Sequence, residues 1–358
     1  MKYSLIVPVY NRPDEVRELL ESLARQTHKD FEVVVVEDGS EVRCESVVQG
    51  FANQLDVHYF EKPNSGPGQS RNYGAERSRG AFLIVLDSDV VLPEDYLAEV
   101  DKELVSNPCE AFGGPDRAHE SFTPVQKAIN YSMTSFFTTG GIRGGSSPLR
   151  GNGKGALDKF YPRSFNMGIK KSLYEQLGGF SDMRFGEDID FSIRIFKSGA
   201  RCRLFPEAWV WHKRRTDFRK FFRQVHNSGI ARINLYKRYP ESLKLVHLLP
   251  AVFTMGVAVL LLLFMLGVWL LFFASDHMSQ AVGFALCGLS LLPIALYSLI
   301  ILIDSTIKNR SLWVGTLSIP ASFIQLIGYG TGFLRAWWLR CVCGRNEELQ
   351  AFETTFYK

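Results

Sequence analysis

The chain has 358 residues, a formal net charge of +4, 22% charged and 46% hydrophobic residues, all ordinary for globular proteins. At roughly 150 residues per domain there is room for about two domains, which excludes a peptide or a small disulfide-held scaffold; so small a charge gives no reason to expect a nucleic-acid partner. The mean hydropathy of -0.02 averages two unlike parts: residues 1–245 have the mix of a soluble α/β protein, and much of 248–334 is apolar enough for lipid.

Tyr3–Val9 reads as a buried strand. With only these seven strand-like residues between Met1-Lys2 and Asn11-Arg12-Pro13, the apolar stretch is too short for a secretory signal, so the front of the chain is expected in the cytoplasm. Asp14–Gln26 has apolar residues at 16, 19, 20 and 23, a helical period with Pro13 in the first turn. Phe31–Val36 reads as a strand, Cys44–Gln54 as a helix and Val57–Phe60 as a strand; Gln69–Arg79 reads as a helix and Ala81–Leu86 as a strand. This alternation predicts a mainly parallel sheet covered by helices. Such sheets bind ligands beyond the carboxyl ends of their strands. Those ends carry Tyr10-Asn11, Glu37-Asp38-Gly39-Ser40 and Asp87-Ser88-Asp89.

Acids are costly to bury unpaired, so two apolar strands running straight into them are informative. Alternate carboxylates such as Asp87 and Asp89 can converge on a hard cation whose shell a polyphosphate completes. No G-x-G-x-x-G follows Tyr3–Val9, which disfavours a dinucleotide site; Gly153-Lys154 is no P-loop, because Pro148 and Gly155 stand where that motif needs Gly and Ser or Thr. The run Gly140–Gly155, with seven glycines, Arg143, Arg150 and Lys154, predicts a mobile basic loop beside the site. Gly178-Gly179-Phe180 ends a short helix and Gly186-Glu187-Asp188 opens another. Acids there either complement the helix dipole or present a base to a cleft. His212, after the strand Ala208–Trp211, is either a metal ligand or a surface histidine. The six cysteines form no C-x-x-C pair and are expected as reduced thiols.

From Lys197 to Lys244 there are 13 Lys and Arg against three acids, a run that an anionic membrane surface would attract. Within it, Phe218–Tyr239 spaces Phe218, Phe221, Phe222 and Val225 as on one face of a helix and reads as lying at the membrane surface. Leu248–Ser275, Met278–Ile303 and Ser311–Leu334 run 28, 26 and 24 residues without a charge, each longer than the roughly 20 needed to span a bilayer. The turn Asp276–His277 has no Lys or Arg and is expected outside; Asp304–Arg310 has Lys308 and Arg310 and is expected inside. Arg335, Arg340 and Arg345 also favour the inside, which three full crossings would not allow. The third segment, with Pro320, Gln325 and Gly328, Gly330 and Gly332, therefore either crosses, tilts or re-enters.

Taken together, Val7-Pro8-Val9-Tyr10-Asn11-Arg12, Glu37-Asp38-Gly39-Ser40, Gly68-Gln69-Ser70-Arg71-Asn72, Asp87-Ser88-Asp89, Asn166 with Gly178-Gly179-Phe180, and Gly186-Glu187-Asp188 resemble, in order, the inverting family 2 glycosyltransferases. The resemblance covers about residues 3–215. It implies a GT-A fold, a Rossmann-like mainly parallel sheet, over 1–215; the remainder divides into a basic interfacial segment, 216–245, two to three membrane helices, 246–335, and a tail, 336–358. It implies a nucleotide-sugar donor, UDP-linked by expectation, contacted by Pro8, Tyr10, Asn11, Asp38, Arg71 and Ser88: Tyr10 stacks on the base, Asp38 accepts from the uracil edge, and Arg71 lies near base or phosphates. Asp87, Asp89 and His212 would hold Mn²⁺ or Mg²⁺. Asp188 would be the general base, with Glu187 orienting acceptor or loop, and Asn166 would serve acceptor or loop. Where processive members carry Q-x-x-R-W, this chain has Arg223-Gln224-Val225-His226-Asn227, which disfavours polymer synthesis. The implied activity is transfer of one sugar to a lipid-linked or membrane-proximal glycan at a bacterial inner membrane, with the catalytic domain cytoplasmic. A polyprenyl-phosphate monosaccharide synthase and a non-catalytic nucleotide-sugar-binding scaffold are the competing readings.

Overall fold

The computed structural model describes residues 1–117, 122–139, 161–213 and 215–349; the expected basic loop Gly140–Gly155 lies outside the described residues. The described residues fall into two compact units, one from Met1–Glu120 and Pro148–Lys213, the other from Ser121–Ser147 and Arg214–Glu353.

The first unit is built on β1 (Tyr3–Val9), β2 (Phe31–Asp38), β3 (Val57–Lys62) and β4 (Phe82–Leu86), interleaved with the helices α1 (Pro13–Ala24), α2 (Glu45–Gln49) and α3 (Pro67–Arg77). These strands pair in parallel in the order β3-β2-β1-β4. They are apolar nearly throughout because helices cover both faces; Leu5, Val7, Val33, Val35 and Ile84 are completely buried. After β5 (Val90–Val91) and α4 (Tyr96–Ser106) come β6 (Ala111–Gly113) and β7 (Asp116–Arg117). The later elements of this unit are β8 (Asn166–Lys170), α7 (Lys171–Gln176), α8 (Glu187–Lys197), β9 (Cys202–Leu204) and β10 (Val210–His212). β8 runs antiparallel to β4, with Asn166 opposite Leu86, and β6 and β9 complete the seven-stranded sheet. A second sheet, β5-β10-β7, has strands of two or three residues, too short to leave a periodic pattern in the sequence. The predicted alternation is present. The expected helix Cys44–Gln54 stops at Gln49, and β2 runs two residues further than expected, to Asp38.

The second unit contains α5 (Pro124–Thr134), α6 (Phe136–Thr139), α9 (Phe218–Arg238), α10 (Leu249–Phe273), α11 (His277–Asn309) and α12 (Leu312–Trp337). The expected contiguous span 1–215 is thus interrupted, because α5 belongs here. Its Ile129 and Met133 pack with Phe221 and Val225 of α9, and its Ala128 with Val314 and Ala321 of α12. The apolar stripe of α9 is accordingly spent on protein, where a lipid-facing stripe was expected. Three helices, Leu245–Phe273, His277–Asn309 and Leu312–Val342, are long and apolar enough to cross a membrane, which supports membrane association.

The backbones of α9 and α12 nearly touch. A Cβ on Gly229 would lie 2.2 Å from the Tyr329 carbonyl oxygen, and one on Gly332 would lie 2.1 Å from that of His226. Overpacking typically costs ~1–3 kcal/mol. Gly332→Val is therefore expected to lower the melting temperature of the full chain in detergent by several degrees, whereas Gly256→Val, whose Cβ meets open space, should leave it nearly unchanged.

Candidate active site

The ends of β1, β2 and β4 and the start of the antiparallel β8 meet at one edge of the large sheet. Beyond β4, donor atoms of Asp87, Asp89 and His212 all lie within 4.8 Å of one another. The small sheet explains this. His212 sits opposite Val90 in the β10–β5 pairing, and the Lys213 amide donates to the Asp89 carbonyl at 3.1 Å. His212 Nε2 lies 3.3 Å from Asp89 Oδ1, and its ring stacks on Phe165 at 4.9 Å between centroids. The buried His212 Nδ1 has no hydrogen-bond partner among the described residues. Two carboxylates and an imidazole with an uncommitted nitrogen fit a divalent cation whose remaining positions are filled by oxygen. Arg12 pairs with the other oxygen of Asp89. That pairing outweighs the burial that opposes the guanidinium's charge, and the Arg12 pKa is raised.

Arg71 binds this cluster to α8. Only 3% of it is exposed, yet its Nη2 donates to Asp87 Oδ1 at 2.9 Å and its Nη1 to Glu187 Oε1 at 2.8 Å. Its guanidinium also lies 5.2 Å from the centre of the Phe180 ring. Burial works against its charge, and Asp87 and Glu187 more than restore it, so its pKa stands above the ordinary arginine value. The resemblance implied a contact of Arg71 with base or phosphates; its terminal nitrogens are instead engaged with two carboxylates.

Gly186, at a φ of 81° that glycine adopts freely, starts α8 and sets Glu187 and Asp188 in its first turn. Burial raises the Glu187 carboxyl to about 7, with Arg71 pulling it down and the Asp188 charge pushing it up. Asp188 is more open. Its Oδ1 accepts from the Ile189 amide at 2.8 Å, and its Oδ2 lies 3.3 Å from Arg163 Nη1.

The remaining expected residues divide. Tyr10 is half-buried at the end of β1, Pro8 pairs with Val36 inside the sheet, and Ser88 is buried between the two aspartates. Asn11, at φ 52°, receives the Val42 amide on its Oδ1 at 2.9 Å, and its own amide donates to Ser40 Oγ at 2.8 Å, so it shapes the loop beside β1. Asp38 is almost wholly buried and accepts from Lys62 and from the Ser65 and Gly66 amides, both at 2.9 Å. The donors that the resemblance assigned to a uracil edge are here supplied by the chain itself. Asn166 is fully buried, accepting from the Tyr96 hydroxyl at 2.6 Å and donating to the Ala208 carbonyl at 2.8 Å. It holds the chain leading to β10. Arg163 and Phe165 stood in no motif. Arg12 stood within one, and only the fold shows that it faces Asp89.

A family model described as "Glycosyl transferase family 2" matches residues 4–177, and one described as "Glycosyl transferase family group 2" matches residues 160–303. The chain belongs to glycosyl transferase family 2. An uncharacterized glycosyltransferase of Haemophilus influenzae is 33% identical over 199 residues, 54% of this chain and 62% of that protein. The poly(ribitol-phosphate) beta-N-acetylglucosaminyltransferase TarS of Staphylococcus aureus is 38% identical over 103 residues, 28% of this chain and 18% of TarS. Against the first curated relatives matched, the chain spans 13%, 23% and 62% of their length. Among solved structures, the mannosyltransferase PcManGT of Pyrobaculum calidifontis, solved with GDP-Man and Mn²⁺, superposes with a TM-score of 0.54 at 16% identity, covering 95% of this chain and 88% of that one. This likeness establishes the GT-A fold class for the family 2 chain.

Two outcomes test the arginine frame. Arg71→Leu strands two carboxylates and is expected to cost about 3–5 kcal/mol, as breaking a buried pair does, read as a loss of denaturant midpoint. Glu187, with its folded pKa raised toward 7, contributes stability that is full below its unfolded pKa and is lost as pH rises through the folded value. Glu187→Gln should therefore flatten the fall in melting temperature between about pH 5 and pH 8.

Proposed function

We propose that the chain is an inverting glycosyltransferase that moves one sugar from a nucleotide-diphosphate sugar, UDP-linked, to a hydroxyl of a lipid-linked or membrane-proximal glycan at the inner membrane of a bacterium, with its catalytic unit cytoplasmic. The observation that carries this reading is the Arg71 bridge. It fixes Asp87, one of the three clustered donors, in the same frame as the helix turn that bears Asp188. Leaving-group stabilisation and proton acceptance are thereby assigned to two ends of one rigid set of ion pairs.

Asp87, Asp89 and His212 would hold Mn²⁺ or Mg²⁺. Such an ion, when bound, neutralises the charge that develops on a departing diphosphate. Arg12 and Arg71 hold Asp89 and Asp87 in place. Asp188, half-buried at the start of α8, takes the proton from the attacking hydroxyl, a contribution of about 10²–10⁴ in rate. A single base on the acceptor side gives one displacement and inversion. Glu187, already engaged with Arg71, orients the turn and leaves the proton to Asp188.

Arg163 gives one alternative specific support. A guanidinium 3.3 Å from Asp188 would suit a phosphate acceptor, as in a polyprenyl-phosphate monosaccharide synthase, where no strong base is needed.

Purified full-length chain in detergent, supplied with UDP-, GDP- and dTDP-sugars and lipid extract as acceptor, separates the readings. With a hydroxyl acceptor, Asp188→Asn should lower the rate about 10²–10⁴-fold with little change in donor affinity. A change of less than a few fold would favour a phosphate acceptor. Nucleotide binding with no turnover over any acceptor would favour a binding scaffold. Mn²⁺ is expected to raise the melting temperature of the wild type, and that rise should be lost in His212→Ala and Asp89→Asn.

A further inference from the structure

The third apolar helix has charges at both ends that point to one side of a membrane, and its packing shows how that is satisfied. α10 and α11 form an antiparallel hairpin joined at Ser275–Asp276. Near that turn the two helices pack on each other: a Cβ on Gly267 would lie 2.8 Å from Cys287 Sγ, and one on Gly283 would lie 2.8 Å from the Gly267 carbonyl oxygen. Twenty helical residues rise about 30 Å, the thickness of a bilayer core. Counted from the turn, that distance reaches Phe253 on α10 and Tyr297 on α11.

α12 meets the hairpin at this level. A Cβ on Gly315 would lie 2.1 Å from Thr306 Oγ1, and Ser318 Oγ lies 2.7 Å from Ser305 Oγ, both partners on α11. Phe323 then packs on Tyr297 and Phe253, at 5.5 and 5.7 Å between ring centres. Further along, Thr254 donates to the Leu326 carbonyl at 3.4 Å, and a Cβ on Gly330 would lie 2.4 Å from the Pro250 carbonyl oxygen, both partners on α10. Between Gly315 and Gly330 the helix advances about 22 Å. Its partners change from α11 to α10 and stay at the open end of the hairpin. From Gly315 to Phe323 its partners step back along α11 from Thr306 to Tyr297, and from there to Gly330 they are Phe253, Thr254 and Pro250 on α10, so it goes no deeper than the level of Phe253 and Tyr297, where a third crossing would continue toward the turn.

We propose that only α10 and α11 cross the membrane, and that α12 lies in the plane of the interface with both its ends on one side. Lys308 and Arg310 before it, and Arg335, Arg340 and Arg345 at its end, then share that side, while the turn at Asp276–His277, without Lys or Arg, faces the other. Trp313 at its start and Trp337 and Trp338 at its end are 62%, 45% and 55% exposed, the aromatic anchors of an interface. More of it is covered by protein than of the other two helices: 44% of its most apolar window is buried, against 6% and 11%. The residues after it return to α9, through Arg340 to Asn234 at 2.8 Å and Arg238 to Glu348 at 2.7 Å.

The test is sided labelling with a membrane-impermeant maleimide, on right-side-out and inverted vesicles from cells expressing the full chain with its other cysteines replaced by alanine. The exposed native Cys343 reports the tail, Lys308→Cys the segment before α12, and Met278→Cys the hairpin turn. Cys343 is expected to label from the same face as Lys308→Cys and to be lost from the face that labels Met278→Cys. Labelling of Cys343 with Met278→Cys would overturn the proposal. Should the cysteine-depleted chain fail to fold, a carboxyl-terminal epitope on the wild type gives the same reading. Protease added to inverted vesicles should remove it; protection there and removal in right-side-out vesicles would overturn the in-plane assignment. Neither outcome depends on the proposed catalytic activity.

Discussion

A buried guanidinium between two carboxylates organises the catalytic unit. Arg71 lies on α3, Asp87 follows β4 and Glu187 opens α8, so three elements distant in sequence are fixed by one side chain. Removing Arg71 leaves the buried Glu187 carboxylate without its cationic partner, at a cost of about 3–5 kcal/mol. The arrangement is therefore maintained before any ligand arrives. Preorganisation of this kind is what a displacement at a sugar carbon requires, because donors aimed in advance at developing charge need no rearrangement during reaction.

A second constraint acts on Asp89. It is held by Arg12 on one oxygen and faces His212 on the other, and His212 reaches it through the β5–β10 pairing. The two aspartates are thus anchored by different arginines, one just before α1 and one on α3. Their separation is set by Ser88 and by the strand geometry, with little left to side-chain freedom. The Asp38 carboxylate, saturated by Lys62 and two loop amides, stabilises the Lys62–Gly66 turn that leads into α3. Its contribution to the site is thereby routed toward Arg71 through the start of that helix.

Much of this was legible because it rests on local pattern. The apolar strands, their polar ends and the order of motifs predicted the parallel sheet, with Asp87 and Asp89 just after β4 and Glu187-Asp188 at the start of a helix. His212 by itself reads as ligand or surface histidine, and only the resemblance implied a ligand; in the fold a two-residue strand puts it beside Asp89. No periodicity marks so short an element. The resemblance implied a base or phosphate contact for Arg71; its carboxylate partners in the fold lie 16 and 116 residues away. Asn166, for which the resemblance implied acceptor or loop, bonds in the fold to a tyrosine and a carbonyl. The assignment of α5 to the membrane unit was out of reach for the same reason: its apolar face matches either a soluble core or α9 and α12.

The membrane half shows where hydropathy ends as a guide. A run without charges measures what a helix can tolerate; what covers it is decided by its neighbours. α10 and α12 are both apolar, but α10 carries large exposed residues such as Leu262, Met265 and Phe272, and α12 carries Gly315, Gly328, Gly330 and Gly332, each set against another helix. Small residues let backbones approach closely, so a stripe of them spread around a helix signals neighbours on several sides. In α12 these are α11 at Gly315, α9 at Gly328 and Gly332, and α10 at Gly330. A helix packed in this way gains more of its stability from protein contacts than α10 or α11 does, with 44% of its most apolar window buried against 6% and 11%. It can then lie where the basic residues at both of its ends are satisfied on one side.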